Sequence, residues 1–270
     1  MSLETAYLLP GAYLLKGDET GFFETYRGVI ETPTGKVSAY VKLVGNTTLA
    51  NEVVSTLLGR GAGLPIPKGY FVHVSAQDYP ESKFLKGQRL LSTIAYGSTN
   101  ANALSFTRQF HIINDDDEAD AFVRLFPLWP TWRDAVVFDE WIANCDRNVG
   151  NLLIGADNEV WLIDHSHAFT GPNWQGCMLR SGAYTKNRVA EHVGRCVTIK
   201  EKYSLGKHVN NLAGKFKQLQ VSEIIDASGV NHLLSDVDVQ ALKRFLSERI
   251  ELLPAKIANH VDIPNLFPVQ

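Results

Sequence analysis

The stretch Phe138-Asp139-Glu140-Trp141-Ile142-Ala143-Asn144-Cys145-Asp146-Arg147-Asn148-Val149-Gly150-Asn151-Leu152-Leu153-Ile154 is followed, after a short turn, by Val160-Trp161-Leu162-Ile163-Asp164-His165-Ser166. It sets Asp146 and Asn151 in a D-x-x-x-x-N spacing and ends a later apolar strand in Asp164. Phosphoryl transfer needs these parts: one carboxylate to orient an acceptor hydroxyl and take its proton, and an Asn and a second Asp to hold Mg²⁺ on the phosphates. The spacing is that of a kinase catalytic loop. Asp146 is therefore the candidate catalytic base, and Asn151 and Asp164 are the candidate metal ligands. Leu152-Leu153-Ile154 and Trp161-Leu162-Ile163, joined by a turn over Gly155 to Asn158, predict a buried hairpin. A hairpin returns the chain, so Asn151 and Asp164 meet at its open end, two oxygen ligands for one hard cation. Asp157-Asn158 reads as a turn pair and receives no role.

Working outward, the segments 20–32 and 36–44 alternate apolar and polar residues around Pro33-Thr34-Gly35, which predicts paired strands. Ala39-Tyr40-Val41-Lys42 ends the second and weakly matches V-A-I-K, which makes Lys42 the candidate phosphate-binding and catalytic cation. Thr48 is placed to cap a helix carrying Leu49, Val53, Leu57 and Leu58, with Glu52 in it to pair with Lys42. That helix stops near Gly59 to Gly63, and further strands are expected at 69–74 and 89–95. Leu90 to Gly97 is read as a hinge. The candidate cofactor-binding residues are Lys42, Glu52, Ile94, Tyr96, Leu153 and Ile163. The loop Gly17-Asp18-Glu19-Thr20-Gly21 has the glycines of a phosphate cover, but its two acids argue against that role. Beyond residue 98 the pattern turns helical, at 115–126, 132–144 and 235–253, the last with Ser235 as cap. Asp115 to Glu118 sit at a helix start, where carboxylates suit the dipole.

Other signatures fail. Gly35-Lys36 lacks the rest of a P-loop, and Gly59 to Gly63 follows a helix where a dinucleotide fingerprint precedes one. His165 and His167 would share one strand face, but no third zinc ligand is evident.

Composition bounds the rest. The 270 residues are 45% hydrophobic and 20% charged, an ordinary globular balance with room for a full core. No apolar run approaches the ~20 residues of a membrane span. MSLETAYLLPGAYLL carries acid early and lacks a basic start, so no signal peptide is read. Cys145, Cys177 and Cys196 are odd in number and widely spaced, which fits a reducing cytoplasm. Residues 1–170 hold 13 basic and 20 acidic residues, whereas 180–217 hold nine basic and two acidic. The basic segment reads first as a solvated helical face, and its few aromatics argue against nucleic-acid binding by stacking.

Asn51-Glu52, LLGRGAGLPIP over Leu57 to Pro67, and FDEWIANCDRNVGNLLI with WLIDHSHAF resemble HipA-like kinases, over roughly residues 36–170. These are bacterial protein kinases whose catalytic lobe is similar to phosphatidylinositol 3/4-kinases. The chain departs from eukaryotic-type kinases: no HRD precedes Asp146, His165-Ser166 stands where FG would be, and no APE follows. The resemblance implies an α+β, two-lobed protein-kinase-like fold, with a β-rich N-lobe over 1–97 and a mostly helical C-lobe over 98–270. It implies that Lys42 binds ATP, that Asp146 is the base, and that Asn151 and Asp164 hold Mg²⁺. It further implies a serine or threonine acceptor on a protein substrate, and an antitoxin or regulatory partner, since the best-known HipA proteins are toxins held by a DNA-binding antitoxin. Two other readings are kept: a phosphoinositide or small-molecule kinase, and a pseudokinase scaffold.

Overall fold

A computed structural model describes residues 2–16, 22–105, 115–155 and 159–261. The Gly17–Gly21 loop and the Asp157-Asn158 pair lie outside the described residues.

Six strands and two helices come first: β1 Glu4–Leu8, β2 Tyr13–Leu14, β3 Glu24–Thr32, β4 Gly35–Leu43, α1 Asn46–Gly61, β5 Gly69–Ser75, α2 Lys83–Gln88 and β6 Ser92–Thr99. The sheet order is β1-β5-β6-β4-β3-β2, and β1 pairs β3 as well, so five strands close on themselves. The β1–β5 pair is parallel and every other pair in this sheet is antiparallel. Strand side chains alternate between faces. Ala39, Val41 and Leu43 of β4 therefore join Ala6, Ile30, Tyr70, Val72 and Ala95 in one buried cluster. Lys42, between Val41 and Leu43, is turned the other way, toward α1.

The remainder is mostly helical: β7 Leu104–Ser105, α3 Asp115–Leu125, α4 Trp132–Trp141, β8 Leu152–Ile154, β9 Val160–Leu162, α5 Arg188–Cys196, α6 Ile199–Gln218, α7 Val221–Ala227 and α8 Asp236–Val261. Strands β7, β8 and β9 form a small antiparallel sheet. The 26-residue α8 packs on α4, α5, α6 and α7. A larger buried cluster runs from Val53, Val54 and Leu57 of α1 through Val136, Phe138 and Trp141 of α4 to Leu242, Phe245 and Leu246 of α8. Helix α1 is thus shared by the sheet and the helical part. Its fit needs Gly59: a Cβ there would collide with Ile66 and stand 2.9 Å from the Phe138 ring. Overpacking of this kind costs about 1–3 kcal/mol. Gly59→Val is expected to lower the denaturant midpoint accordingly, and an unchanged midpoint would show that Ile66 and Phe138 give way freely.

Several expectations shift. Helix α1 starts two residues before Thr48 with Gly45 as its N-cap, and Thr48 instead donates its hydroxyl to the Pro172 carbonyl at 3.1 Å. Leu90 to Gly97, expected as a hinge, is strand from Ser92 onward, paired with β5 along its length and with β4 at Tyr96 and Gly97. The change of character at residue 97 falls inside β6, which runs on to Thr99. Ser235 does cap α8, accepting the Asp238 N–H at 3.2 Å. The three cysteines are unpaired. Among the described residues, no helix is long and apolar enough to cross a membrane.

Candidate active site

The hairpin forms as its spacing predicts. Leu152 pairs with Leu162 and Ile154 with Val160, and the Ile163 N–H donates to the Asn151 carbonyl at 3.1 Å. Asn151 and Ile163 therefore continue the ladder, and Asp164 follows at its open end. By alternation, Leu153 and Ile163 share the face of Asn151.

Lys42 joins the two halves of the site. Its Nζ lies 2.6 Å from Glu52 Oε1 and 2.7 Å from Asp164 Oδ1. The other Glu52 oxygen accepts the His165 N–H at 3.0 Å. Asp164 Oδ1 also accepts the Ser166 hydroxyl at 2.5 Å. Burial pulls the Lys42 ammonium down, but the two carboxylates outweigh it and hold it well above an ordinary lysine. Burial pushes the Asp164 carboxyl up, but Lys42 and the Ser166 donors prevail and hold it well below the usual carboxylate range. Burial raises Glu52, with Lys42 opposing and Asp164 adding to the rise. Asp164 adopts φ +55, a left-handed conformation that Asp tolerates better than most residues.

Asp146 sits in the loop between α4 and the hairpin, 37% exposed at its side chain. Asn151 Nδ2 donates to the Asp146 carbonyl at 2.7 Å, which fixes the Asn151 side chain against the loop. Its amide oxygen then faces away from that bond. An ionised carboxylate and an amide oxygen at the mouth of one hairpin are hard donors suited to Mg²⁺.

The loop is fastened from beneath by Arg147, fully buried. Its guanidinium meets both Asp139 oxygens at 3.0 Å, the Asn151 carbonyl at 3.2 Å and the Ile163 carbonyl. Asn51 does the same for the segment after Asp164. Its Nδ2 lies 2.8–3.0 Å from the carbonyls of Ser166, Ala168 and Gly171, and its Oδ1 accepts the Trp174 indole N–H at 2.7 Å. Asn51 and Glu52, neighbours on α1, thus set both the lysine and the Asp164 segment.

The site residues named from sequence are not all brought together. Lys42, Glu52 and Asp164 touch, and Asn151 touches Asp146. Ile94 lies on β6, partly buried against the larger core. Tyr96 stands opposite Lys42 across the β4–β6 pair, but it is 6% exposed and shares a 2.7 Å hydrogen bond with Thr56. His165 and His167 do not share a face: His165 is buried edge-on to Phe138, and His167 lies 3.9 Å from Asp146. Among the described residues, no cluster of three His, Cys, Asp or Glu is placed to hold a metal. A groove of ≈ 550 Å³ lined by Arg60, Leu64, Pro65, Pro130 and Trp161 lies toward the turn end of the hairpin, and none of the candidate site residues lines it.

Burial, with Arg147 and Lys42 nearby, holds His165 well below an ordinary histidine. Folded His165 stays neutral, whereas the unfolded chain takes up a proton near pH ~6.5. The unfolded state then binds more protons, so this residue withdraws stability as pH falls below about 6.5. His165→Leu is expected to flatten the thermal midpoint between about pH 7 and pH 5 relative to the parent. An equal slope in both would show that His165 is not the group responsible.

The family model described as HipA-like kinase matches residues 39–186, more than half of the chain. No curated protein matches. Among solved structures, the Helicobacter pylori proinflammatory kinase CtkA is similar, with TM-score 0.57, 11% identity, and coverage of 93% of this chain and 97% of that one. The structure of a Golgi casein kinase matches with TM-score 0.45, 10% identity, and coverage of 96% and 74%. The likeness to CtkA shows a kinase fold built from mixed helix and strand.

Proposed function

This chain belongs to the HipA-like kinase family and is a kinase, and from that premise we propose that it phosphorylates a serine or threonine hydroxyl of a protein with ATP and Mg²⁺. The observation that carries the reading is the Lys42–Glu52–Asp164 contact beside the Asn151–Asp146 contact. The two contacts are joined through the Ile163 N–H to Asn151 carbonyl bond, which supports reading one cation, two metal-suited oxygens and one open carboxylate as parts of one site. In this reading the sheet through β6 and the helical remainder would act as two lobes that hold the nucleotide. Ile94, Tyr96, Leu153 and Ile163 would supply its apolar walls.

When bound, ATP supplies the γ-phosphoryl group and Mg²⁺ offsets charge on its phosphates. Asp164 Oδ2 and Asn151 Oδ1 would hold the metal. Lys42, kept charged by its two carboxylates, would bind the phosphates, and its contact with Glu52 holds it in place. Asp146 receives the acceptor hydroxyl proton, and its exposure leaves room for a protein side chain. The chain's residues orient and neutralise; none forms a covalent bond to the substrate. A regulatory partner of antitoxin type and a cytoplasmic setting belong to the same proposal.

The test is label transfer from γ-labelled ATP to cell lysate, with phosphopeptides mapped by mass spectrometry, for the parent and Asp164→Asn. Label on protein serine or threonine, lost in Asp164→Asn, is the expected result. Label confined to lipid vesicles or small molecules would overturn the acceptor class. Stabilisation by ATP and Mg²⁺ with no label anywhere would make the protein a nucleotide-binding scaffold.

A further inference from the structure

The Asp146 carboxylate is weakly held by its own loop, with Asn148 Nδ2 reaching Oδ1 only at 3.5 Å. Two groups approach from outside: Arg188 at 3.5 Å from Oδ1 and His167 at 3.9 Å from Oδ2. Arg188 is the first residue of α5, and its place is fixed. Asn187 just before it accepts the Ala190 N–H at 3.0 Å as helix cap and donates to the Val136 carbonyl of α4 at 2.9 Å. The Arg188 guanidinium also pairs with Glu118 of α3, which is 4% exposed. The second Glu118 oxygen accepts the Val149 N–H at 2.9 Å, inside the catalytic loop. Glu118 therefore grips the loop twice, directly at Val149 and through Arg188 at Asp146.

We propose that Arg188 is a positioning residue: clamped by Glu118, it fixes the Asp146 carboxylate in the orientation that meets the acceptor hydroxyl. The inference rests on Asp146 being the base, as read above. The guanidinium suits the task because its planar fork can serve two carboxylates at once, which a lysine ammonium does with less geometric control. Small displacements of a reacting group are expensive: about 1 Å can cost 10²-fold in rate.

The test measures kcat and the KM for ATP in R188Q, R188K, E118Q and the R188Q/E118Q pair, with thermal midpoints alongside. R188Q is expected to lower kcat by about 10- to 100-fold, with KM for ATP within about twofold of the parent. R188K should recover part of that loss. E118Q should lose less, since a Gln oxygen still accepts the Val149 N–H. The double variant should be no worse than R188Q alone, because the two residues act as one unit. If R188Q fails to fold, R188K and E118Q carry the test, each with a several-fold lower kcat and an unchanged KM expected. Parent-like or raised kcat in the folded Arg188 variants would overturn the proposal, as would full additivity in the double variant. An active Asp146→Asn enzyme would instead overturn the assignment of the base itself.

Discussion

Asp146→Asn is expected to lower turnover by about 10²- to 10⁴-fold, the scale of a lost general base. The amide keeps the shape and still offers an oxygen to Arg188, but it cannot take the acceptor's proton. The fold should not notice. The Asp146 side chain is 37% exposed, and the described groups that approach its carboxylate do so at long range, Asn148 and Arg188 at 3.5 Å and His167 at 3.9 Å. The check is steady-state turnover with the thermal midpoint measured on the same sample. Parent-like turnover would remove Asp146 from its role, and a collapsed midpoint would show that the residue is structural.

Arg147→Ala should have the opposite signature, a large loss of stability. Arg147 is fully buried, and Asp139 opposite it is 1% exposed. Removing one partner of a buried pair leaves an uncompensated charge, at a cost of about 3–5 kcal/mol. The carbonyls of Asn151 and Ile163 would lose their donor in the same stroke. Chemical denaturation is the measurement. A loss under about 1 kcal/mol would place Arg147 among the weak surface pairs, contrary to its geometry. Since stability is only about 5–15 kcal/mol for a typical domain, the variant is expected to express poorly at elevated temperature.

The hairpin and the placement of Asn151 and Asp164 were legible because they are local. The two strands and their turn lie within twelve residues, and pairing them leaves one register. The Lys42–Glu52 contact was legible for a similar reason, a strand end followed by one helix. Strand β1 was not, because ETAYL carries no clear alternation and its partners lie more than 20 residues away in β3 and over 60 away in β5. Thr48 misled because a threonine near a helix start looks like a cap, whereas its hydroxyl reaches Pro172 across the fold. Glu118 was read as one of a run of acids suiting a helix dipole. A signal was present: Glu118, Ala121, Phe122 and Leu125 fall at i, i+3, i+4 and i+7, so one acid lies on the buried stripe. Asp139 and Glu140 gave the same signal inside the apolar run of α4. Two acids there require buried cations, and the structure supplies Arg147 and Arg249. Which cation serves which acid depends on packing between distant segments, and no spacing in the chain encodes it.

The Lys42 ammonium has a consequence for how this enzyme should be silenced. Two carboxylates converge on that single nitrogen, one of them 1% exposed. Exchanging the lysine for an uncharged residue would leave those acids confronting each other with nothing between them. They would be driven to separate or to share a proton, and the Asp164 turn would move with them. An inert lysine mutant would therefore say little about phosphate contact, because it would have dismantled the Asp164 turn as well. The clean inactive control for this protein is the one that alters Asp146 alone.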